Sequence, residues 1–557
     1  MQGDAHTALR WWQTRWFVGA MALAAAIPLL WPDIPPLVDL PGHMGRWRVQ
    51  QAGGEVPWLA QWYDFNWMLI GNLGIDLLMV VLEPLLGLEL AVKLVVLTIP
   101  PLTAFGLLWI AREVHGRVPP TALFALPLVY GYPLQFGFVN FALSMALALN
   151  AFALWLRLAR LGRLQLRAAL FVPLGAVIWV CHTFGWGMLG LLAFSAEAVR
   201  QYDKGQHHGG TRWFAAVFWA GIHCLSLAPP AALMVLWRTG GGVSGQTADW
   251  FNWRAKTLWL MMVLRDRWLT FDLAGFAALL IVIGAAIRSR TLTFSRNLAF
   301  SALVLAACYV LLPRIVFGSA YADMRLAPYM LAIGIVAIRP KPDIASGRAV
   351  LVATAGLAFV AIRLAATTVS FYQFDRVYDR ELAALDAVPV GARLVSFIGH
   401  NCRNDWKMSR IEHLPAMALV RRLAFSNDQW SMAGAQLLTT KMPQAPGFRF
   451  DPSQITTPTR CPREWWRPIA VSLTWFPRDV FTHVWLVDPG PYDRRLEAGL
   501  KPLWRDGRSV VFEVEQGVPA ATLRPNDLGP LGPEFLERIG KLRGHPHIAE
   551  TAALKPS

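Results

Sequence analysis

Long apolar runs separated by short polar turns fill the first two-thirds of the chain, and this pattern stops near residue 371. A helix of about 20 apolar residues is long enough to cross a bilayer. The predicted spans are 16–31, 88–111, 119–136, 138–156, 168–183, 184–199, 214–236, 268–287, 297–313, 326–338 and 349–371. The pattern therefore predicts a polytopic α-helical membrane domain over residues 1–371 with about eleven transmembrane helices.

Residues 67–87 are also long enough to cross, but they carry Asp76, Glu83 and Pro84. If this segment crossed, nearly all later clusters of Arg and Lys would lie outside, against the preference of basic loops for the cytoplasm. We therefore predict an interfacial or half-inserted helix at 67–83, within a long external loop spanning 32–87. The N-terminus is then cytoplasmic and the C-terminal region external.

From residue 372 the pattern changes to polar helices followed by short apolar strands. A helix at 376–387 precedes a strand at 392–398, and a helix at 494–504 is predicted between strands at 483–488 and 509–515. This alternation predicts a small external α/β domain over 372–516. Residues 517–557, rich in Pro and Gly, form a predicted tail.

Composition excludes several classes of protein. Charged residues make up only 16% of the chain and hydrophobic residues 55%, whereas soluble proteins carry about 25% charged residues. The net charge of +16 comes from short basic clusters between apolar runs, which is typical of cytoplasmic loops. A soluble enzyme, a nucleic-acid-binding protein and a disordered scaffold are therefore excluded.

The five cysteines are too few for a disulfide framework, and no Cys/His spacing resembles a zinc site. Cys402 and Cys461 lie in the polar C-terminal region. They either pair, if this region faces an oxidising compartment, or remain free thiols.

The segment after the first predicted span carries the strongest chemical signal, with Asp39, His43, Arg46 and Trp47 within ten residues. Pro41 favours a helix start, so Asp39 lies at its N-terminus and the other three share one face. This arrangement suits a general base beside an anion-binding face. The alternative is an interfacial anchor helix capped by Asp39.

Four further candidate residues are predicted near the outer membrane surface, and a fifth lies within the last span. Arg325 and Arg314 offer forked donors to a phosphate, and Asp323 either orients Arg325 or forms a surface ion pair with it. His182 is either a phosphate or acceptor contact or a packing histidine. Arg363, within the last span, has a buried partner or phosphate, or extends to the outer interface.

A long first external loop that opens on an aspartate, many spans and an external C-terminal domain together resemble the GT-C class of integral-membrane glycosyltransferases. Residues 87–117 also resemble that family's second span and its basic turn. The resemblance implies a polyprenyl-phosphate sugar donor at the outer membrane face. It also implies that Asp39 activates an acceptor hydroxyl and that the donor phosphate is bound by cationic side chains, with Arg325, Arg314, His182, His43 and Arg46 as candidates.

Many members of that family carry a second acidic residue close to the first, whereas Leu40, Pro41, Gly42 and His43 follow Asp39 here. No cofactor is therefore assigned, and a divalent metal stays possible. Glu55 and Asp64 are candidates for the second acid or for acceptor binding, and Asp249 is a weaker acceptor candidate; the alternative for the first two is plain surface charge.

The sequence-based hypothesis is a glycosyltransferase of the bacterial inner membrane whose C-terminal domain is periplasmic. Its partners would be a polyprenyl-phosphate sugar, membrane lipids, a glycan or lipid acceptor, and a protein bound through the C-terminal domain, but no nucleic acid. Two alternatives remain: a transporter of lipids or lipid-linked glycans, and a non-catalytic subunit of a polysaccharide assembly complex.

Overall fold

The computed structural model describes residues 9–52, 54–205, 211–239, 245–341, 346–402, 405–431, 436–461 and 466–528. The chain forms two compact units. The helical unit comprises Met1–Pro35 and Met68–Tyr372, and the sheet unit comprises Pro36–Trp67 and Gln373–Ser557.

The α-helices and strands are numbered in chain order. The helices are α1 (Arg15–Ala24), α2 (Leu40–Ala52), α3 (Pro57–Trp62), α4 (Gly74–Leu86), α5 (Leu88–His115), α6 (Tyr132–Phe136), α7 (Val139–Arg160), α8 (Leu164–Cys181), α9 (Thr183–Lys204), α10 (Arg212–Cys224), α11 (Pro229–Thr239), α12 (Trp253–Met261), α13 (Leu269–Arg288), α14 (Arg296–Leu311), α15 (Ala322–Val336), α16 (Ser346–Leu382), α17 (Ala416–Arg422) and α18 (Ile469–Trp475). The strands are β1 (Tyr63–Phe65), β2 (Leu292–Phe294), β3 (Ile338–Pro340), β4 (Leu394–Gly399), β5 (Leu438–Thr440), β6 (Ile455–Thr457), β7 (Arg467–Pro468), β8 (His483–Val487), β9 (Leu500–Asp506) and β10 (Ser509–Val514).

Within the described part of the helical unit, five helices are long and apolar enough to cross a membrane: α5, α7, α8, α13 and α16. A sixth span results if α10 and α11, which meet at a 66° bend, count as one. The chain is a multi-pass helical membrane protein, and the number of eleven crossings stays a prediction.

The predicted span at 119–136 is not a single α-helix. Pro120–Tyr130 form a 3-10 helix and Tyr132–Phe136 form the short α6. Pro120, Pro127 and Pro133 each lack a backbone N–H, and a proline ring clashes with the preceding turn of an α-helix. The prolines therefore account for the broken geometry.

The predicted helix at 67–83 begins later than expected, at Gly74 of α4. Asp76 in its first turn is buried, and its carboxylate accepts a hydrogen bond of 2.9 Å from Asn140 of α7. The Asn140 side-chain oxygen accepts a bond of 2.7 Å from the backbone N–H of Ile75. Asp76 is thus bound inside the helical unit.

Arg363 has a buried partner, so the alternative prediction that its side chain extends to the outer interface is wrong. Its guanidinium donates to Asp272 of α13 at 2.8 Å and to the carbonyl of Leu264 at 2.7 Å. Asp272 also accepts from the backbone N–H of Asp266, and Asp266 accepts from Ser370. This ion pair ties α16 to α13 inside the helical unit.

Replacing Arg363 by Met is expected to destabilise the protein, because the buried carboxylate of Asp272 would lose the guanidinium that donates to it at 2.8 Å. Loss of one partner of a buried ion pair costs about 3–5 kcal/mol, whereas an apolar replacement of both partners is often neutral. We therefore expect a lowered melting temperature in detergent for Arg363→Met and recovery in the double variant Arg363→Met, Asp272→Leu. Equal melting temperatures for wild type and single variant would contradict this role.

The sheet unit is built on one six-stranded sheet in the order β7-β6-β4-β8-β10-β9. The strands β7, β6, β4 and β8 pair in parallel, and β10 pairs antiparallel with β8 and β9. The strands predicted at 392–398, 483–488 and 509–515 correspond to β4, β8 and β10.

One helix prediction in the C-terminal region is wrong. Residues 494–504 form a 3-10 turn followed by the edge strand β9, which pairs with β10. Residues 376–387 are helical as predicted, but they continue α16 to Leu382 and then form a 3-10 turn. The polar residues of 376–382 thus continue a long apolar helix, so the change in composition does not mark a helix boundary.

The first-loop segment 36–67 packs within the sheet unit, whereas the sequence grouped it with the membrane helices. Strand β1 pairs antiparallel with β5, and α2 packs against α17. Leu59, Trp62 and Tyr63 are buried in the same hydrophobic cluster as Val395 and Phe425. Burial of these apolar side chains stabilises the attachment of the segment to the sheet unit.

Candidate functional site

Asp39 lies directly before α2 and belongs to a buried cluster in the sheet unit. The imidazole of His413 is at the centre of this cluster. Its Nε2 lies 3.9 Å from an Asp39 oxygen and 3.8 Å from an Asp451 oxygen, and its Nδ1 lies 3.8 Å from an Asp428 oxygen. We call these four residues the His413 cluster; it brings three carboxylates to one histidine.

Neighbouring amides and hydroxyls fix the acids of the cluster. Asp428 accepts hydrogen bonds from the Ser426 hydroxyl at 2.6 Å and the Gln429 amide at 3.3 Å. Asp451 accepts from the Gln454 amide at 2.7 Å. Asn427, between Ser426 and Asp428, bonds to both backbone groups of Ser396 in β4. The loop that carries Asp428 is therefore anchored to a central strand of the sheet.

The electrostatics of the cluster shift several pKa values. Burial raises the pKa of Asp428 to about 6, although His413 and the hydrogen bonds to the carboxylate oppose the shift. Burial also raises the pKa of Asp451. Burial lowers the pKa of His413, but Asp451, Asp39, Asp428 and Glu412 outweigh that effect and raise it overall. The carboxylates thus favour the imidazolium form of His413.

A second histidine–carboxylate pair adjoins the cluster. His400 Nε2 lies 3.0 Å from Glu412, the residue before His413. Burial raises the pKa of Glu412, yet its hydrogen bond with His400 and the charges of His400 and His413 lower it overall. Both members of this pair are partly exposed, so the pair lies nearer solvent than His413.

Two glycines allow α2 to approach the cluster closely. A Cβ on Gly42 would lie 2.7 Å from the Trp430 ring, and one on Gly45 would lie 2.6 Å from the Gln429 amide nitrogen. The Trp430 ring packs between the imidazoles of His43 and His413, with ring centroids 5.1 and 4.4 Å away. Gly42 therefore permits the contact of Trp430 with the two histidines, and Gly45 permits the close approach of Gln429.

Substituting Gly42 by Ala is expected to displace the Trp430 ring and disturb His413, whose Nδ1 lies 3.3 Å from the added Cβ. Such overpacking typically costs about 1–3 kcal/mol of unfolding free energy. Gly54→Ala is the matched control, because nothing lies within 4 Å of its Cβ position. We expect a lower melting temperature for Gly42→Ala alone; identical values for both variants would contradict the packing role.

The predicted shared face of α2 is present. The rings of His43 and Trp47 stack at 5.8 Å, and the Arg46 guanidinium lies 5.7 Å from the Trp47 ring. Arg46 is buried and donates a hydrogen bond to the side chain of Gln436. It is thus integrated into the sheet unit, and its predicted role in phosphate binding stays a prediction.

The helical unit contains a separate cationic site around Arg325 of α15. Its guanidinium lies 4.1 Å from the Phe138 ring centroid and donates to the Ser319 hydroxyl at 3.3 Å. The ring centroids of Phe141 and Phe184 each lie 5.8 Å from that guanidinium, and both rings also contact the ring of His182. His182 accepts a hydrogen bond from the Phe184 backbone N–H and caps α9. The predicted pair of Arg325 and His182 therefore lies in one aromatic environment, the Arg325 site.

Asp323 has a different partner from the one predicted. It is fully buried rather than at the surface, and it accepts a hydrogen bond of 3.0 Å from Lys256. Lys256 also donates to the carbonyls of Tyr309 and Leu312. The predicted surface ion pair between Asp323 and Arg325 is therefore wrong, because the buried carboxylate of Asp323 pairs with Lys256 of α12.

Arg314 and Asp249, predicted separately as phosphate and acceptor contacts, form an ion pair of 3.3 Å. Asp249 also accepts from Asn252, and the Arg314 guanidinium lies 5.5 Å from the Tyr321 ring. These interactions join the loop before α12 to the loop before α15. The two residues therefore share one partly exposed site in the helical unit.

The remaining acidic candidates are surface residues. Glu55 and Asp64 are exposed, and Asp64 pairs with Lys441 at 2.9 Å. Asp428 and Asp451, far along the chain, lie near Asp39 instead. No group of three or more His, Cys, Asp or Glu in the described ranges is arranged to hold a metal ion.

Sequence reasoning missed His413, Asp428, Asp451, Trp430 and Lys256. None of them belongs to a short motif with Asp39 or Arg325. One signal was available: the glycines at 42 and 45, on one side of the predicted first-loop helix, indicate close packing against another segment. That signal does not name the partner segment.

No family model and no curated protein matches the chain. Among solved structures, the chain is similar to the crystal structure of ArnT from Cupriavidus metallidurans in the apo state. The identity is 13%, the match covers 89% of this chain and 96% of that chain, and the TM-score is 0.44. The function proposed below therefore rests on this chain's own residues.

Proposed function

We propose that the protein is a membrane glycosyltransferase that moves a sugar from a polyprenyl phosphate to an acceptor hydroxyl. The observation that carries the proposal is the burial of Asp39 beside His413 in the sheet unit. A buried carboxylate next to an imidazole is suited to remove a proton from a bound hydroxyl. The proton moves to Asp39 as the acceptor oxygen attacks the sugar carbon, and the bond to the leaving phosphate breaks.

The leaving polyprenyl phosphate needs positive charge where its own negative charge develops. Arg325 supplies this charge in the proposal, because its forked donors fit phosphate oxygens and its aromatic surroundings limit screening. Arg314, His182, His43 and Arg46 are the further candidates for phosphate contacts.

The external location of the sheet unit is part of the proposal. The disulfide between Cys402 and Cys461 supports it, because disulfides persist in oxidising compartments such as the bacterial periplasm. The sheet unit would then bind the acceptor or a partner protein at the outer face of the inner membrane, with the N-terminus in the cytoplasm.

The test uses detergent-purified protein incubated with an extract of native membrane lipids and followed by mass spectrometry. The proposal predicts the loss of one polyprenyl-phosphate sugar and the release of polyprenyl phosphate. An unrelated membrane protein purified in the same detergent is the control. An unchanged lipid profile after acceptor-containing membrane fractions have been added would contradict the proposal.

A further inference from the structure

We infer that His413 is a positioning residue that favours the ionised form of Asp39. The functional meaning of this inference rests on the proposed role of Asp39 as a base, because only the carboxylate can accept the proton of an acceptor hydroxyl. The charge relationship between the two residues can be tested without any assay of sugar transfer.

The first argument is the orientation of the imidazole. Nδ1 faces Asp428, and Nε2 faces both Asp39 and Asp451. A neutral imidazole carries an N–H on one nitrogen and a lone pair on the other, whereas imidazolium carries an N–H on both. In a neutral His413, the nitrogen without an N–H would therefore turn its lone pair toward a carboxylate, whichever nitrogen that was. The geometry therefore favours the cation.

The second argument is burial. The His413 side chain is only 5% exposed and that of Asp428 is fully buried. Charges separated by about 4 Å interact far more strongly in such surroundings than in bulk water. One face of the imidazole packs against Trp430, which limits the access of solvent from that side. His413 therefore acts on Asp39 with little screening.

The third argument is the sign of the other charges that face His413. Asp451, Asp39, Asp428 and Glu412 are the charges that act most strongly on the imidazole, and all four are acidic. Carboxylates that share a site favour the protonated forms of one another, so the imidazolium opposes the protonation of Asp39. Asp428 and Asp451 are stabilised as carboxylates by Ser426, Gln429 and Gln454. The loss of His413 would thus remove a positive charge that lies 3.9 Å from Asp39.

The test measures the ionisation of Asp39 directly. A hydrophobic carbodiimide reacts with protonated carboxyl groups, so peptide mass spectrometry of the labelled full-length protein between pH 4 and 9 gives a midpoint for Asp39. In His413→Gln we expect the midpoint to rise by about one to three pH units, the usual effect of losing an opposite charge at this distance. His413→Lys keeps the cation, so it should restore a midpoint close to that of wild type.

His483→Gln is the matched control, because His483 lies in β8 of the same unit and its Nδ1 contacts Thr482. In His483→Gln, the pH midpoint for labelling of Asp39 should equal that of wild type. An unchanged midpoint in His413→Gln would overturn the inference, as would equal shifts in His413→Gln and His413→Lys. If Asp39→Asn retains full turnover while the midpoint shifts, the proposed function fails and the charge relationship stands.

Discussion

Asp39→Asn is expected to lower turnover by about 10²- to 10⁴-fold, which is the usual contribution of a general base. The amide has nearly the same shape as the carboxylate but cannot accept a proton from an acceptor hydroxyl. Removing one negative charge also relieves crowding among the carboxylates around His413. The variant should therefore fold at least as well as wild type.

The comparison uses the rate of polyprenyl phosphate release by wild type and Asp39→Asn at equal protein concentration. Asp64→Asn is the matched control, because Asp64 is exposed on the same unit and pairs with Lys441. It should retain wild-type turnover. Comparable losses in both variants would point to a general effect of charge on the sheet unit and contradict the role of Asp39.

Arg325→Gln is expected to lower kcat/KM by about 10²- to 10³-fold, the typical cost of losing one donor that stabilises developing negative charge. Gln keeps polar atoms near Ser319 but removes the charge. Arg325→Lys should recover part of the loss, since an ammonium keeps the charge but not the forked geometry.

Arg290→Gln serves as the control, because Arg290 is an exposed arginine of the helical unit. Its kcat/KM should equal that of wild type. If Arg325→Gln raised KM and left kcat unchanged, Arg325 would bind donor and transition state equally. Unchanged values of both constants would remove Arg325 from the proposed mechanism.

The sequence was most informative where one periodic signal dominates. The apolar runs at 88–111, 138–156 and 268–287 correspond to α5, α7 and α13, because a continuous apolar stretch has few alternatives to a membrane helix. The strands β4, β8 and β10 were predictable for a similar reason. The residues of β9 combine polar and apolar positions, and pairing with β10 makes them a strand instead of the predicted helix.

The sequence predicts the part of the candidate site on and directly before α2, but not the partners of Asp39 from other segments. Asp39, His43 and Arg46 lie in one helical motif, so their spacing alone places them together. The partners of Asp39 come from loops near residues 413, 428 and 451, which tertiary packing brings to α2. In the helical unit, Lys256 meets Asp323 across two helices. Contacts of this kind depend on the packing of whole elements, and a single sequence carries no local trace of them.

The most direct measurement follows both products in one reaction. Wild type and Asp39→Asn are incubated with native membrane lipid extract and acceptor fractions, and mass spectrometry quantifies sugar transferred and polyprenyl phosphate released. The account predicts equal molar amounts of the two products with wild type and about 10²- to 10⁴-fold slower formation of both with Asp39→Asn. Equal product formation by wild type and Asp39→Asn would contradict it.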